Sequence, residues 1–265
     1  MKSDRSGETK KYLTISSDDG SRLDLKLLGF LEKYDLKATF YIPQKYHLRT
    51  LSDEEVKVIA QNQEVGGHTL THPDSLADLN FEQQCQEIGG SKQYLENLLG
   101  KEILMFSYPR GIFNDETVRA VKEAGYLGAR TVRPSGFDIK DPFRMGVSLQ
   151  IYPFPLMRKR SDYSYFFWLK KCLKPARTYK KYIEQYDLGW NSYFSWLHLA
   201  QNMLDYVLEN GGIYHLWGHA WEIEKYGLWN DLERFLEYFK ATGARDLICA
   251  TNGEIIRQLK SEKNE

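Results

Sequence analysis

The sequence predicts an α/β fold in which strands and helices alternate around a parallel sheet or a (β/α) barrel. Three observations carry this expectation. Short β-rich runs and longer amphipathic runs follow one another from Tyr12 to Lys260. The residues able to bind a metal or move a proton fall just after strand-like runs, at the loops where such barrels carry their chemistry: Asp18 and Asp19 after the first, His68 and His72 after the third, His219 after a late one. The 265 residues are 42% hydrophobic, enough for one large core, so we expect a single domain over residues 1–265.

The elements follow in order. Residues 12–17 (YLTISS) form the first strand. Residues 23–34 have helical spacing, with Leu23, Leu27, Phe30 and Leu31 on one face. Residues 37–42 are a strand stopped by Pro43. Ser52 is the N-cap of a helix over residues 53–62, with Glu55 in the capping-box position. Residues 64–67 are a short strand leading into the histidine pair, and residues 81–99 a long amphipathic helix ended by Gly100. Then come a strand at 103–107, a helix at 114–124 and a strand at 126–131. A late strand at 212–217 places His215 and Trp217 on one face and Tyr214 and Leu216 on the other. A helix at 230–242, a strand at 246–250 and a helix at 252–260 close the chain.

Residues 152–200 break the alternation. Arg158, Lys159, Arg160, Lys170, Lys171, Lys174, Arg177, Lys180 and Lys181 are nearly unopposed before Glu184, with only Asp162 among them, and Tyr163, Tyr165, Phe166, Phe167 and Trp168 are interspersed. Such a segment is either a helical insertion that covers the barrel mouth with a solvated basic face, or a surface for anionic lipid headgroups or a polyprenyl-phosphate substrate. Over the whole chain charge is balanced, 36 Lys plus Arg against 36 Asp plus Glu, which gives no support for nucleic-acid binding. Aromatics reach 14%, a level shared by sugar-binding clefts and by aromatic cores. Cys85, Cys172 and Cys249 are odd in number and far apart, so they read as reduced thiols. With no signal peptide or long apolar run visible, the expected location is cytoplasmic, with peripheral membrane contact as an open alternative.

Asp18-Asp19-Gly20 and His68-Thr69-Leu70-Thr71-His72 together supply two carboxylates and two imidazoles. That donor set suits a divalent metal with a base beside it. Singly, each motif has a plainer reading: DDG is a common turn, and paired histidines are often structural. Gly66-Gly67 would permit an unusual backbone entry to the pair, and Pro73 blocks simple helix continuation through it.

In combination these residues resemble the polysaccharide deacetylase, or NodB-homology, family (carbohydrate esterase family 4). ISSDDGS (15–21) is similar to its TFDDG motif and HTLTHP (68–73) to its HSxxHP motif. SYPRG (107–111) is similar to its RxPxG motif, and HLWGHAWE (215–222) to its C-terminal histidine motif. The resemblance implies a distorted (β/α) barrel with seven or so strands. It implies Asp18 as general base, Asp19, His68 and His72 as metal ligands, and His219 as general acid, with His215 the fallback. Zinc is the default metal, and cobalt, nickel or iron fit the same donors. The implied reaction is hydrolysis of an N-acyl group, most simply N-acetyl, on an amino sugar or glycan. The alternatives are deacylation of a polyprenyl-linked sugar, hydrolysis of a small amide, and a non-catalytic carbohydrate-binding homologue.

The departures are specific. Ser16-Ser17 stand where the family has TF, and Ser107 stands where it has the arginine that orients the base. Arg110 takes the usual aromatic position, and its backbone N–H can still serve an oxyanion. Whether Arg110 or another arginine, such as Arg133 or Arg144, tethers Asp18 is open. The family's Asp/Trp motif has only Asp138 and Asp141 as nearby candidates.

Overall fold

The computed structural model of the protein describes residues 10–157, 164–242 and 246–262, apart from the side chains of Phe167, Lys170 and Lys171. Strand β1 (Lys11–Asp18) is the central stave. Strands β2 (Ala38–Ile42), β3 (Glu64–Gly67), β4 (Met105–Ser107) and β5 (Gly128–Pro134) follow in spatial order on one side, each parallel to the last. On the other side lies β8 (Gly212–Gly218), paired with β1 along nearly its whole length. The gap between β5 and β8 is bridged by one chain segment, β6 (Met145–Val147) and β7 (Leu149–Gln150), which pairs with β5 through its first half and β8 through its second. Ser148 joins the halves, its N–H donating to the His215 carbonyl at 2.9 Å. The sheet thus nearly closes into the expected distorted barrel. Strand β9 (Leu247–Cys249) pairs with the start of β1.

Alternation along the strands sorts the side chains. Leu13 and Ile15 of β1 pack outward with Leu27, Leu31 and the other helical residues of the main core. Thr14, Ser16 and Asp18 point into the barrel, where they meet polar partners. On β8, Tyr214 and Leu216 join the outer core, whereas His215 reaches Ser16 and Trp217 reaches Arg130 inside.

Helices α1 (Asp24–Tyr34), α2 (Asp53–Asn62), α3 (Phe81–Leu99) and α4 (Asp115–Glu123) connect the first five strands. The Ser52/Glu55 capping box of α2 forms as expected. Helix α3 ends at Gly100, whose φ of 65° few other residues tolerate. After β7 come α5 (Tyr165–Lys171) and α6 (Lys174–Gln185), then α7 (Trp196–Asn210), which leads back into β8 and packs on α9 (Trp229–Ala241) in the outer core. Between β8 and α9 lies the short helix α8 (Ala220–Tyr226). The last helix, α10 (Asn252–Glu262), plugs the far end of the barrel: Asn252 accepts from Thr14, donates to Tyr41 and takes a backbone bond to Thr39. Arg158, Lys159, Arg160, Asp162 and Tyr163 lie outside the described residues.

Candidate active site

The chemistry-bearing side chains gather at the strand C-termini, in a cleft of about 430 Å³. Asp18 is the last residue of β1 and Asp19 the next, its φ of 79° turning the chain sharply. His68 follows β3 directly. Gly66 and Gly67 lead into it without left-handed backbone, contrary to the entry expected from sequence; what they provide is room. A Cβ at Gly66 would lie 2.6 Å from the Tyr41 ring, and one at Gly67 would land on the Tyr126 hydroxyl. The turn 68–72 is braced by Thr69, whose Oγ1 accepts from the His72 N–H at 2.9 Å, and by Glu87, which accepts from the Thr71 N–H and hydroxyl. Thr69, His72 and Arg110 also hold positive φ, so the three motif segments concentrate most of the strained non-glycine backbone among the described residues.

Asp19, His68 and His72 are buried, with one donor atom from each inside a 4.8 Å span. The Nε2 atoms of His68 and His72 stand 3.7 and 3.5 Å from Asp19 Oδ1. Burial pushes both imidazoles down to about 4, so both are neutral near pH 7. His68 Nδ1 donates to the Ser107 carbonyl at 2.8 Å, which leaves the Nε2 lone pair turned to the cluster. His72 stacks on Tyr46 at 3.9 Å, and its buried Nδ1 has no hydrogen-bond partner among the described residues. The His68 Nε2 lone pair, a second neutral imidazole and a carboxyl group facing one another fit a divalent cation.

Asp18 lies beside this cluster, its Oδ2 3.9 Å from His68 Nε2. Burial would raise its pKa, but the Arg130 guanidinium, which bonds Oδ1, overrides burial and holds the carboxyl below the usual range. The tether is therefore Arg130, from inside β5. Arg110 is half-exposed and pairs with Asp74 at 2.6 Å, Arg144 pairs with Asp115 and Asp141, and Arg133 lies over Phe113. Arg130 is wholly buried between the rings of Tyr41 and Trp217, at 5.2 and 4.8 Å, and its Nε and Nη1 have no hydrogen-bond partner among the described residues. Arg110 does line the cleft, and its strained backbone sits in the turn Pro109–Gly111 at the end of β4.

His219 faces the cluster from the end of β8, its Nε2 3.8 Å from Asp19 Oδ2. Burial would lower its pKa, but Glu222 accepts from Nδ1 at 2.7 Å and carries it up to about 9. Gln150 at the end of β7 donates to the same Glu222 oxygen. Glu222 thus supplies the carboxylate contact; Asp138 is exposed and Asp141 pairs with Arg144. Trp221 donates its indole N–H to Asp19 Oδ2 at 2.9 Å. His215 is buried within the barrel, bonded to Ser16 Oγ at 2.8 Å and near the Gly146 carbonyl, and burial lowers it to about 3.

A family model described as polysaccharide deacetylase matches residues 5–129, the span holding Asp18, Asp19, His68, His72 and Arg110. Over that span the chain is similar to the polysaccharide deacetylase family. The chain is 32% identical over 130 residues to YxkH of Bacillus subtilis, provisionally named a polysaccharide deacetylase, a match covering 48% of this chain and 46% of YxkH. It is 29% identical over 119 residues to the peptidoglycan-N-acetylglucosamine deacetylase of Bacillus cereus, covering 44% and 54%. The chain thus spans about half the length of the curated relatives it matches. In fold it is similar to a polysaccharide deacetylase homologue from Mycobacterium smegmatis, with a TM-score of 0.65 at 16% identity over 97% of this chain and 93% of that one. It is also similar to a family 4 pseudoenzyme from Bacillus anthracis, with a TM-score of 0.51 at 16% identity over 88% and 62%.

Arg130, Glu222 and Trp221 escaped the sequence reading. Arg130 had one signal, a lone charge in the otherwise uncharged strand 126–131. Glu222 lies within the quoted HLWGHAWE segment, three residues after His219, a spacing that meets on a helical turn.

Proposed function

We propose that the chain is a metal-dependent hydrolase that removes an N-acyl group, in the simplest case N-acetyl, from an amino sugar of a glycan. The observation that carries this reading is the convergence in one cleft of Asp19, His68 and His72 with Asp18 held ionised and His219 held protonated. Asp19, His68 and His72 would hold a divalent metal, with zinc the first choice and cobalt, nickel or iron compatible. When bound, such an ion polarises the acyl carbonyl and makes a nearby water more acidic. Asp18 takes the proton of the attacking water as its oxygen bonds to the carbonyl carbon. Arg130 keeps Asp18 charged and fixed for that transfer. The backbone N–H of Arg110 supports the tetrahedral oxyanion. His219 gives its proton to the nitrogen as the carbon–nitrogen bond breaks, so the products are carboxylate and free amine. The name of the Bacillus cereus relative supports an N-acetylglucosamine substrate.

A non-catalytic role draws its support from the missing arginine at Ser107, and Arg130 fills that need. The test is metal analysis combined with acetate release from N-acetylglucosamine oligomers and from lipid-linked N-acetylated amino sugars. Asp18→Asn should retain metal and lose at least about 100-fold in turnover. Stoichiometric metal surviving His68→Ala with His72→Ala would sink the ligand assignment. Full turnover by Asp18→Asn would sink the base.

A further inference from the structure

Helix α5 and the turn after it present an apolar face to solvent. Phe166 is 83% exposed, Tyr165 57%, Leu169 51% and Leu173 45%. At about 100° per residue Tyr165, Phe166 and Leu169 fall within an arc of about 100°, and Leu173 follows in the turn. The adjoining flank anchors the segment: Trp168 Nε1 donates to the Met157 carbonyl at 2.7 Å, and Cys172, in the turn after the helix, is buried. An exposed cluster of this size needs an occupant.

The neighbouring helix indicates which. On α6, Pro175, Tyr179 and Ile183 turn inward. Lys174, Arg177 and Lys181 form an exposed stripe at i, i+3 and i+7, and none has an ion pair among the described residues. Lys180 is neutralised by Glu184 at 3.6 Å. The whole chain is electrically neutral, so this local excess of cations is not the by-product of a basic protein. A second copy of the same face would set cations against cations.

We propose that this face docks on a membrane surface bearing anionic lipid headgroups. Its aromatic and aliphatic side chains enter the interfacial layer while the cations of α6 meet the headgroups. No helix among the described residues is long and apolar enough to cross a membrane, so the contact is peripheral. Lys174 and Thr178 of the same α6 line the catalytic cleft, so docking brings the cleft mouth to the lipid surface.

The experiment is flotation of the full chain with vesicles of phosphatidylcholine alone or mixed with phosphatidylglycerol, at low and high salt. Binding needs no turnover, so the result is independent of the proposed reaction. Flotation is expected with the mixed vesicles at low salt. Phe166→Ser with Leu169→Ser should weaken it roughly tenfold or more, and Arg177→Gln with Lys181→Gln should weaken it and flatten its salt dependence. Unchanged far-UV circular dichroism of these exposed-site variants guards against misfolding. The proposal is overturned by no flotation with mixed vesicles, by equal flotation with neutral ones, by indifference to the Phe166/Leu169 change, or by a soluble dimer that this change dissolves.

Discussion

Asp18 and Arg130 are buried together, so each answers for the other's charge. Arg130→Met strands the carboxylate, and a loss of about 3–5 kcal/mol is expected in denaturant unfolding. The sign of the pH effect follows from the lowered folded pKa of Asp18. Its stabilisation is full above the ordinary carboxylate pKa and fades as pH falls through the lower folded value. Without Arg130 burial prevails, so the acid limb of the activity profile should move to higher pH. His219 runs the other way. Its folded pKa stands at about 9 against an ordinary 6.5, so its charge stabilises fully below 6.5 and ceases to do so as pH rises through about 9. Glu222→Gln removes the hydrogen-bonded anion, and the alkaline limb should then shift down by a unit or more in a pH–rate measurement.

Elements with a clear period were legible from residue order. Helices α2 and α3 fall where the caps at Ser52 and Gly100 put them, and β1, β2, β3 and β8 match to within about a residue. What escaped is short. Strands β6 and β7 have three and two residues, too few to show alternation, and they exist because β5 and β8 flank them. Helix α8 has seven residues, and α7 was hidden behind the basic, aromatic segment before it. The candidate metal donors were legible because one loop or strand end holds each motif. Arg130 was not, because a motif search looks along β4 while the arginine stands beside it on β5. Tight packing at β3 makes a prediction at this scale. Gly67→Ala forces Tyr126 off its contact with helix α3 and should cost about 1–3 kcal/mol by thermal or chemical unfolding.

Across the whole molecule, the site draws on β1, β3, β5 and β8 together, so it exists only when the ring of staves is assembled. A ligand that binds only the folded state stabilises it by about 2.7 kcal/mol at a hundredfold excess over its dissociation constant. Zinc added to metal-free protein should therefore raise Tm by several degrees, and His68→Ala with His72→Ala should abolish the rise in calorimetry. The pairing of Ser107 with Arg130 has another consequence at this scale. The two are direct cross-strand partners, at one level of the barrel interior, and both face Asp18. That level acts as a socket with two berths for one large cation, and the RxPxG motif that SYPRG resembles would fill the berth that is small here. Filling both, with Ser107→Arg alone, crowds two guanidinium groups into one layer; exchanging them, with Ser107→Arg and Arg130→Ser, preserves its volume and charge. The exchanged protein should be more stable and more active than either single variant, so the trait natural to this position is a property of the pair.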